Sequence, residues 1–118
     1  METIEFNIQG VNTTKGLSMY RNKANIYKRL LGDFCMDGNE KYAGLVASFA
    51  NKDLEMYTTH IHGVRGAADA IAAEAISEAA MLLENAGNNG DWDYITNHHE
   101  GFLHELKTLV ENVSRLLV

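Results

Sequence analysis

The chain carries five histidines, His60, His62, His98, His99 and His104, and a single cysteine, Cys35. Free imidazole titrates near pH 6.5, so an exposed histidine offers an unprotonated ring nitrogen at neutral pH. His62 is set apart by its C-terminal neighbours, a cation at the third position after it (Arg65) and a glycine at the fourth (Gly66). The stretch His60-Ile61-His62-Gly63-Val64-Arg65-Gly66-Ala67-Ala68-Asp69-Ala70-Ile71-Ala72-Ala73 has helical spacing. His62, Arg65, Gly66 and Asp69 then share one face, and Tyr57, Ile61, Val64, Ala68 and Ile71 share another. At about 100° per residue, His62 lies about 135° from the centre of the apolar stripe and His60 nearer its edge, which makes His62 the exposed histidine. A glycine inside a helix costs about 1 kcal/mol relative to alanine, so Gly63 and Gly66 need a packing or functional reason. At Gly66, one turn from His62, a missing side chain leaves the imidazole open to a partner.

The other chemistries that histidines suggest fit less well. His60-x-His62 and His98-His99 look like ligand pairs, but helical residues one or two apart do not face each other, whereas helical ligand pairs are spaced three or four apart. Cys35 has no companion cysteine and reads as a small buried hydrophobe beside Phe34. A zinc or di-iron site is therefore not expected, and His60, His98, His99 and His104 read as surface or core-edge residues. Neither G-x-x-x-x-G-K-[ST] nor G-x-G-x-x-G occurs, so the chain is not expected to phosphorylate itself from ATP.

These residues must be held by helices. The 118 residues contain no proline and are 46% hydrophobic, a composition that favours one all-helical domain over residues 1–118, long enough to bury a core without disulfides. An irregular lead-in to residue 12, with extended character at Ile4 to Ile8, precedes a short helix capped by Thr13 or Thr14 and running to about Tyr20. A helix from about Asn22 carries Ile26, Leu30, Leu31 and Phe34, should weaken at Asp37-Gly38-Asn39, and gives way to helical spacing at Tyr42, Leu45, Val46 and Phe49. The histidine-bearing helix runs from about Asp53 to Ile71, with Asn51 or Asp53 as its cap. Glu74 to Ala86 forms the next helix, Gly87-Asn88-Asn89-Gly90 a turn, and Asp91 the cap of a last helix from Trp92 to Leu116. Ile95, His99, Phe102, Leu106, Leu109, Val113 and Leu116 alternate spacings of four and three along it, a bundle seam. The predicted fold is an all-α antiparallel four-helix bundle with one or two short N-terminal helices.

The order His62-x-x-Arg65-Gly66, Ile71-Ala72-Ala73, Leu82-Leu83-Glu84 and Gly90-Asp91 resembles the histidine phosphotransfer (Hpt) domains of multistep phosphorelays, whose usual motif is His-x-Leu-Lys-Gly. Val64 stands for the leucine, Arg65 for the lysine, and Ala72 for a glycine often found after the isoleucine. Gly10-Val11-Asn12, Lys15-Gly16-Leu17 and Ile26 to Phe34 resemble the N-terminal half, so the similarity spans roughly residues 8–117. It implies that His62 takes a phosphoryl group on Nε2 from a receiver-domain aspartate and passes it to another. Arg65 would then face the phosphate, where a guanidinium can offset its charge. Glu84 and Asn88 fall where some family members carry polar residues that orient the histidine; an acidic Glu84 would repel phosphate, and reads as solvent-facing or structural.

The resemblance also implies a phosphoryl carrier rather than an enzyme. No cofactor is expected in the chain itself, the divalent metal residing on the receiver. The expected partners are response-regulator receiver domains and a hybrid sensor histidine kinase. A helical adaptor that keeps this shape and binds a signalling partner without phosphotransfer is the alternative, but it would not need an exposed imidazole beside a helix glycine. A dimerising kinase fragment would need a catalytic region that the chain lacks. The charge of −6 argues against nonspecific nucleic-acid binding. With no apolar run near the ~20 residues of a membrane span and no basic-then-apolar N-terminus, a cytoplasmic monomer without membrane contact is expected.

Overall fold

A computed structural model of the chain describes residues 7–117. They form five helices: α1 (Thr13–Met19), α2 (Ala24–Ala50), α3 (Leu54–Ala70), α4 (Glu74–Asn88) and α5 (Trp92–Leu117). Helices α2 to α5 make an antiparallel bundle, visible in which residues meet. Along α2 and α3, Gly44 lies against His60 and Lys41 against Gly63. Along α3 and α4, Thr58 lies against Gly87 and His62 meets Glu84. Along α2 and α5, Phe49 stacks on His99 while Gly38 touches Val110. Tyr27, Leu31, Phe34, Leu45, Tyr57, Ile61, Leu83, Ile95 and Leu106 are among the fully buried residues of the shared core. Each such side chain contributes about 1.5–3 kcal/mol relative to exposure.

Three sequence expectations are corrected. The first helix is capped not by Thr13 or Thr14 but by Asn12, whose side chain accepts from the Lys15 N–H at 3.1 Å. Helix α2 does not weaken at Asp37-Gly38-Asn39 but runs unbroken through it. A Cβ on Gly38 would come within 2.8 Å of Val110 Cγ2, so this glycine serves the close crossing of α2 and α5 rather than a break. Helix α4 likewise continues past Ala86 through Gly87 and Asn88; a side chain at Gly87 would collide with the Thr58 hydroxyl, so this glycine too serves close packing rather than a break. The extended character expected at Ile4 to Ile8 lies mostly outside the described residues; Asn7 and Ile8 are irregular, and Ile8 is buried.

The three corners of the bundle are built alike. Each helix ends in a cap residue, a residue in the left-handed region, and a third whose N–H returns to a carbonyl of the last turn. These are Asn51-Lys52-Asp53, Ile71-Ala72-Ala73 and Asn89-Gly90-Asp91, with central φ values of 53°, 61° and 69°. The closing bonds are Asp53 N–H to Ser48 O (2.9 Å), Ala73 N–H to Ala68 O (2.9 Å) and Asp91 N–H to Ala86 O (2.8 Å). The third residue also starts the next helix: Asp53 and Asp91 accept from the N–H groups of Met56 and Tyr94, each at 3.1 Å. At the α3–α4 corner the remaining carbonyls are taken by the N-terminal half. Tyr20 donates to Ala70 O (2.5 Å), Tyr27 to Ile71 O (2.8 Å) and the Asn12 N–H to Ala72 O (2.9 Å). Burial, with Tyr20 adding to it, pushes the Tyr27 hydroxyl up to about 12.

Lysine and alanine occupy left-handed positions at a steric cost of about 1–2 kcal/mol, against the entropic penalty of roughly 0.5–1 kcal/mol that glycine brings. Lys52→Gly is therefore expected to stabilise the fold by about 0.5–1 kcal/mol. Ala72→Gly should gain less, because it removes a buried methyl worth about 0.8 kcal/mol. Urea midpoints of the two variants check the ranking; a loss of stability at Lys52 contradicts it.

Candidate functional site

Asp53 caps α3, and the helix buries Tyr57, Ile61, Val64 and Ala68, which turns His62 outward. Its side chain is 74% exposed, and its Nδ1 lies 2.6 Å from Glu84 Oε2 on α4. The Arg65 guanidinium, one turn further on, donates to Oε1 of the same carboxylate at 3.0 Å. Glu84 is only 13% exposed. Desolvation pushes its carboxyl upward, but the hydrogen bonds from Arg65 and His62, together with their charges, outweigh this and hold it below the usual carboxylate range. An ionised carboxylate can only accept, so Nδ1 is the donor, and in the neutral form of the ring the lone pair of His62 sits on Nε2.

Glu84 is thus structural rather than solvent-facing, and joins the site as the partner of both candidate residues. Arg65, expected to face a phosphate, has its guanidinium on Glu84, because a desolvated carboxylate binds the nearest strong donors. The residue pattern held a signal for this. His62 and Arg65 share a flank of α3, and Glu84 borders the α4 stripe of Ile76, Ala80, Leu83 and Gly87, all buried. Only the closeness of α3 and α4, set by Gly87 against Thr58, turns that into contact.

Around the ring the surface is open on two sides. A Cβ on Gly66 would meet nothing within 4 Å. Toward the start of α3, a groove of about 600 Å³ runs between α3 and α4, with Thr58, Thr59, Glu84, Gly87 and Asn88 along it. Gly63 differs: a Cβ there would lie 2.6 Å from Lys41 Cε.

The remaining histidines have other places. The His60 ring fills the notch at Gly44. His98 stacks on Tyr94 with centroids 4.0 Å apart. His99 is buried between Phe49 and Tyr57, its Nδ1 2.9 Å from the Tyr57 hydroxyl; burial pushes it down despite Glu100. His104 is exposed. Among the described residues no three His, Cys, Asp or Glu side chains gather as a metal set, and no helix is long and apolar enough to cross a membrane.

No curated protein and no solved structure matches the chain. The family model of the Hpt domain does, over residues 29–116, which takes in four-fifths of α2 and all of α3 and α4 together with the His62, Arg65 and Glu84 cluster. An outward histidine on an antiparallel helical bundle, matched over most of the chain's length, places the protein in the Hpt domain family, the phosphocarriers of two-component signalling.

Proposed function

We propose that the protein relays phosphoryl groups between receiver-domain aspartates, in the cytoplasm, through His62. The observation that carries this reading is the Glu84 carboxylate on Nδ1, since it leaves the lone pair on the exposed Nε2. In the forward step Nε2 attacks the phosphorus of an aspartyl phosphate; the N–P bond forms, the P–O bond to the aspartate breaks, and the carboxylate leaves. Nε2 has no proton to lose, so positive charge develops on the ring as the bond forms. Glu84, already in place against the Nδ1 proton, stabilises that charge without rearrangement. Transfer to a second receiver is the reverse step. The metal and most of the charge stabilisation belong to the receiver, and the open space at Gly66 admits its active site. Arg65 acts here through Glu84, keeping the carboxylate ionised and oriented.

Incubation with a phosphorylated receiver is expected to place an acid-labile, base-stable phosphoramidate on the chain. His62→Gln should abolish the label and His60→Gln should keep it; the opposite pattern refutes the assignment.

Gly66 separates stability from access. Gly66→Ala should stabilise the helix by up to about 1 kcal/mol, since its Cβ has room. Gly66→Leu should leave a folded bundle that accepts phosphate poorly. A thermal melt and a transfer assay on both variants check this, and a wild-type rate for Gly66→Leu sinks the access argument.

The Glu84 carboxyl is held below its usual range in the folded state, so the stability it contributes is present above its unfolded pKa of about 4.3 and is lost as pH falls through the lower folded value. Glu84→Gln is expected to be less stable than wild type at pH 7 and to converge with it in acid. A constant difference across chemical melts from pH 7 to pH 3 rules out this linkage.

A further inference from the structure

Resting on His62 as the phosphoacceptor, we propose that Lys41 of α2 is the cation that faces the phosphoryl group once it is on the ring, and that Gly63 is the notch through which its ammonium reaches that face. A phosphoryl group on Nε2 adds negative charge to a chain that already carries −6, on a ring held by the Glu84 carboxylate. Arg65 is already committed to Glu84 at 3.0 Å, which leaves that flank close to neutral.

The other flank of His62 is where Lys41 lies. Its stem crosses α3 at Gly63, the residue bonded to His62. Measured from the point where a Cβ would stand, Cε is at 2.6 Å and Nζ at 3.7 Å. A Cβ at this position would push the lysine stem aside, which gives the second helix glycine a reason distinct from that of Gly66. The ammonium's own ion pair is loose: Asp37, one turn back on α2, is 3.7 Å away, with side-chain exposures of 23% for Lys41 and 39% for Asp37. Such i,i+4 pairs contribute little, so exchanging Asp37 for a dianionic phosphoryl group is favourable. Lysine suits the task, being a compact point charge on a flexible stem that can follow a group which comes and goes. Two ion pairs therefore flank His62. The tight one orients the ring, and the loose one answers its cargo.

The test uses the full chain phosphorylated with phosphoramidate, a small donor that needs no receiver, and follows the phosphohistidine by ³¹P NMR across pH. A nearby cation favours the dianion. Lys41→Met should raise the midpoint of the second phosphoryl ionisation by about 0.3–0.5 pH unit at low salt, a difference that should shrink in 1 M salt. Lys41→Arg should restore the wild-type midpoint. Gly63→Ala, which displaces Cε without removing the charge, should shift it in the same direction as Lys41→Met, and the double variant should shift it no further than Lys41→Met alone. If wild type is labelled at His62 and Lys41→Met leaves the midpoint unmoved, the Lys41 assignment fails while the carrier reading stands. Absence of label on wild type overturns both.

Discussion

Glu84 has to satisfy two donors from a helix it does not belong to, and this requirement sets how α3 and α4 face each other around His62. A carboxylate that is 13% exposed cannot rely on water, so its oxygens are divided between the His62 imidazole and the Arg65 guanidinium. Both donors stand on one flank of α3, one turn apart, which fixes the rotation of that helix about its axis. Gly87, three residues beyond Glu84, fixes the distance by letting Thr58 press against the α4 backbone. The apolar stripe of α3 enters the core under the same rotation. Tautomer, exposure and packing of His62 thus depend on one arrangement.

Arginine at position 65 is consistent with that duty. The Hpt domains that the chain resembles usually carry lysine there, a point charge on a flexible stem. A guanidinium is planar and weakly hydrated, and suits a fixed contact with a partly buried carboxylate. The mobile charge is left to the opposite flank, where Lys41 keeps only a long ion pair.

Much of this was legible in the residue pattern. The α5 seam from Ile95 to Val113 is buried at its expected positions, His99 included, and α3 spans nearly the predicted range because its apolar stripe and its Asp53 cap agree. The exposure of His62 is a consequence of that phase alone. The glycines were harder. Gly38 and Gly87 look like breakers on local propensity, but each sits where another helix comes too close for a side chain, and tertiary packing overrides propensity. Two of the three left-handed corner positions hold Lys52 and Ala72, residue types that carry no turn signal, so only the Gly90 corner announced itself. The pairing of Glu84 with His62 was hidden for a different reason: it depends on the separation of two helices, which no single-helix pattern contains.

The three-residue corners also bear on the order in which the molecule assembles. At the α3–α4 corner the residue that closes one helix begins the next, so the two form a hairpin with almost no chain to gather in. His62 and Glu84 are 22 residues apart, whereas the hydroxyls of Tyr20 and Tyr27 reach the end of α3 across 50 and 44 residues. Closing the shorter separation loses less entropy, and chains rich in such local contacts fold quickly. The carboxylate and imidazole are therefore expected to meet early in folding, with the N-terminal segment sealing the corner afterwards.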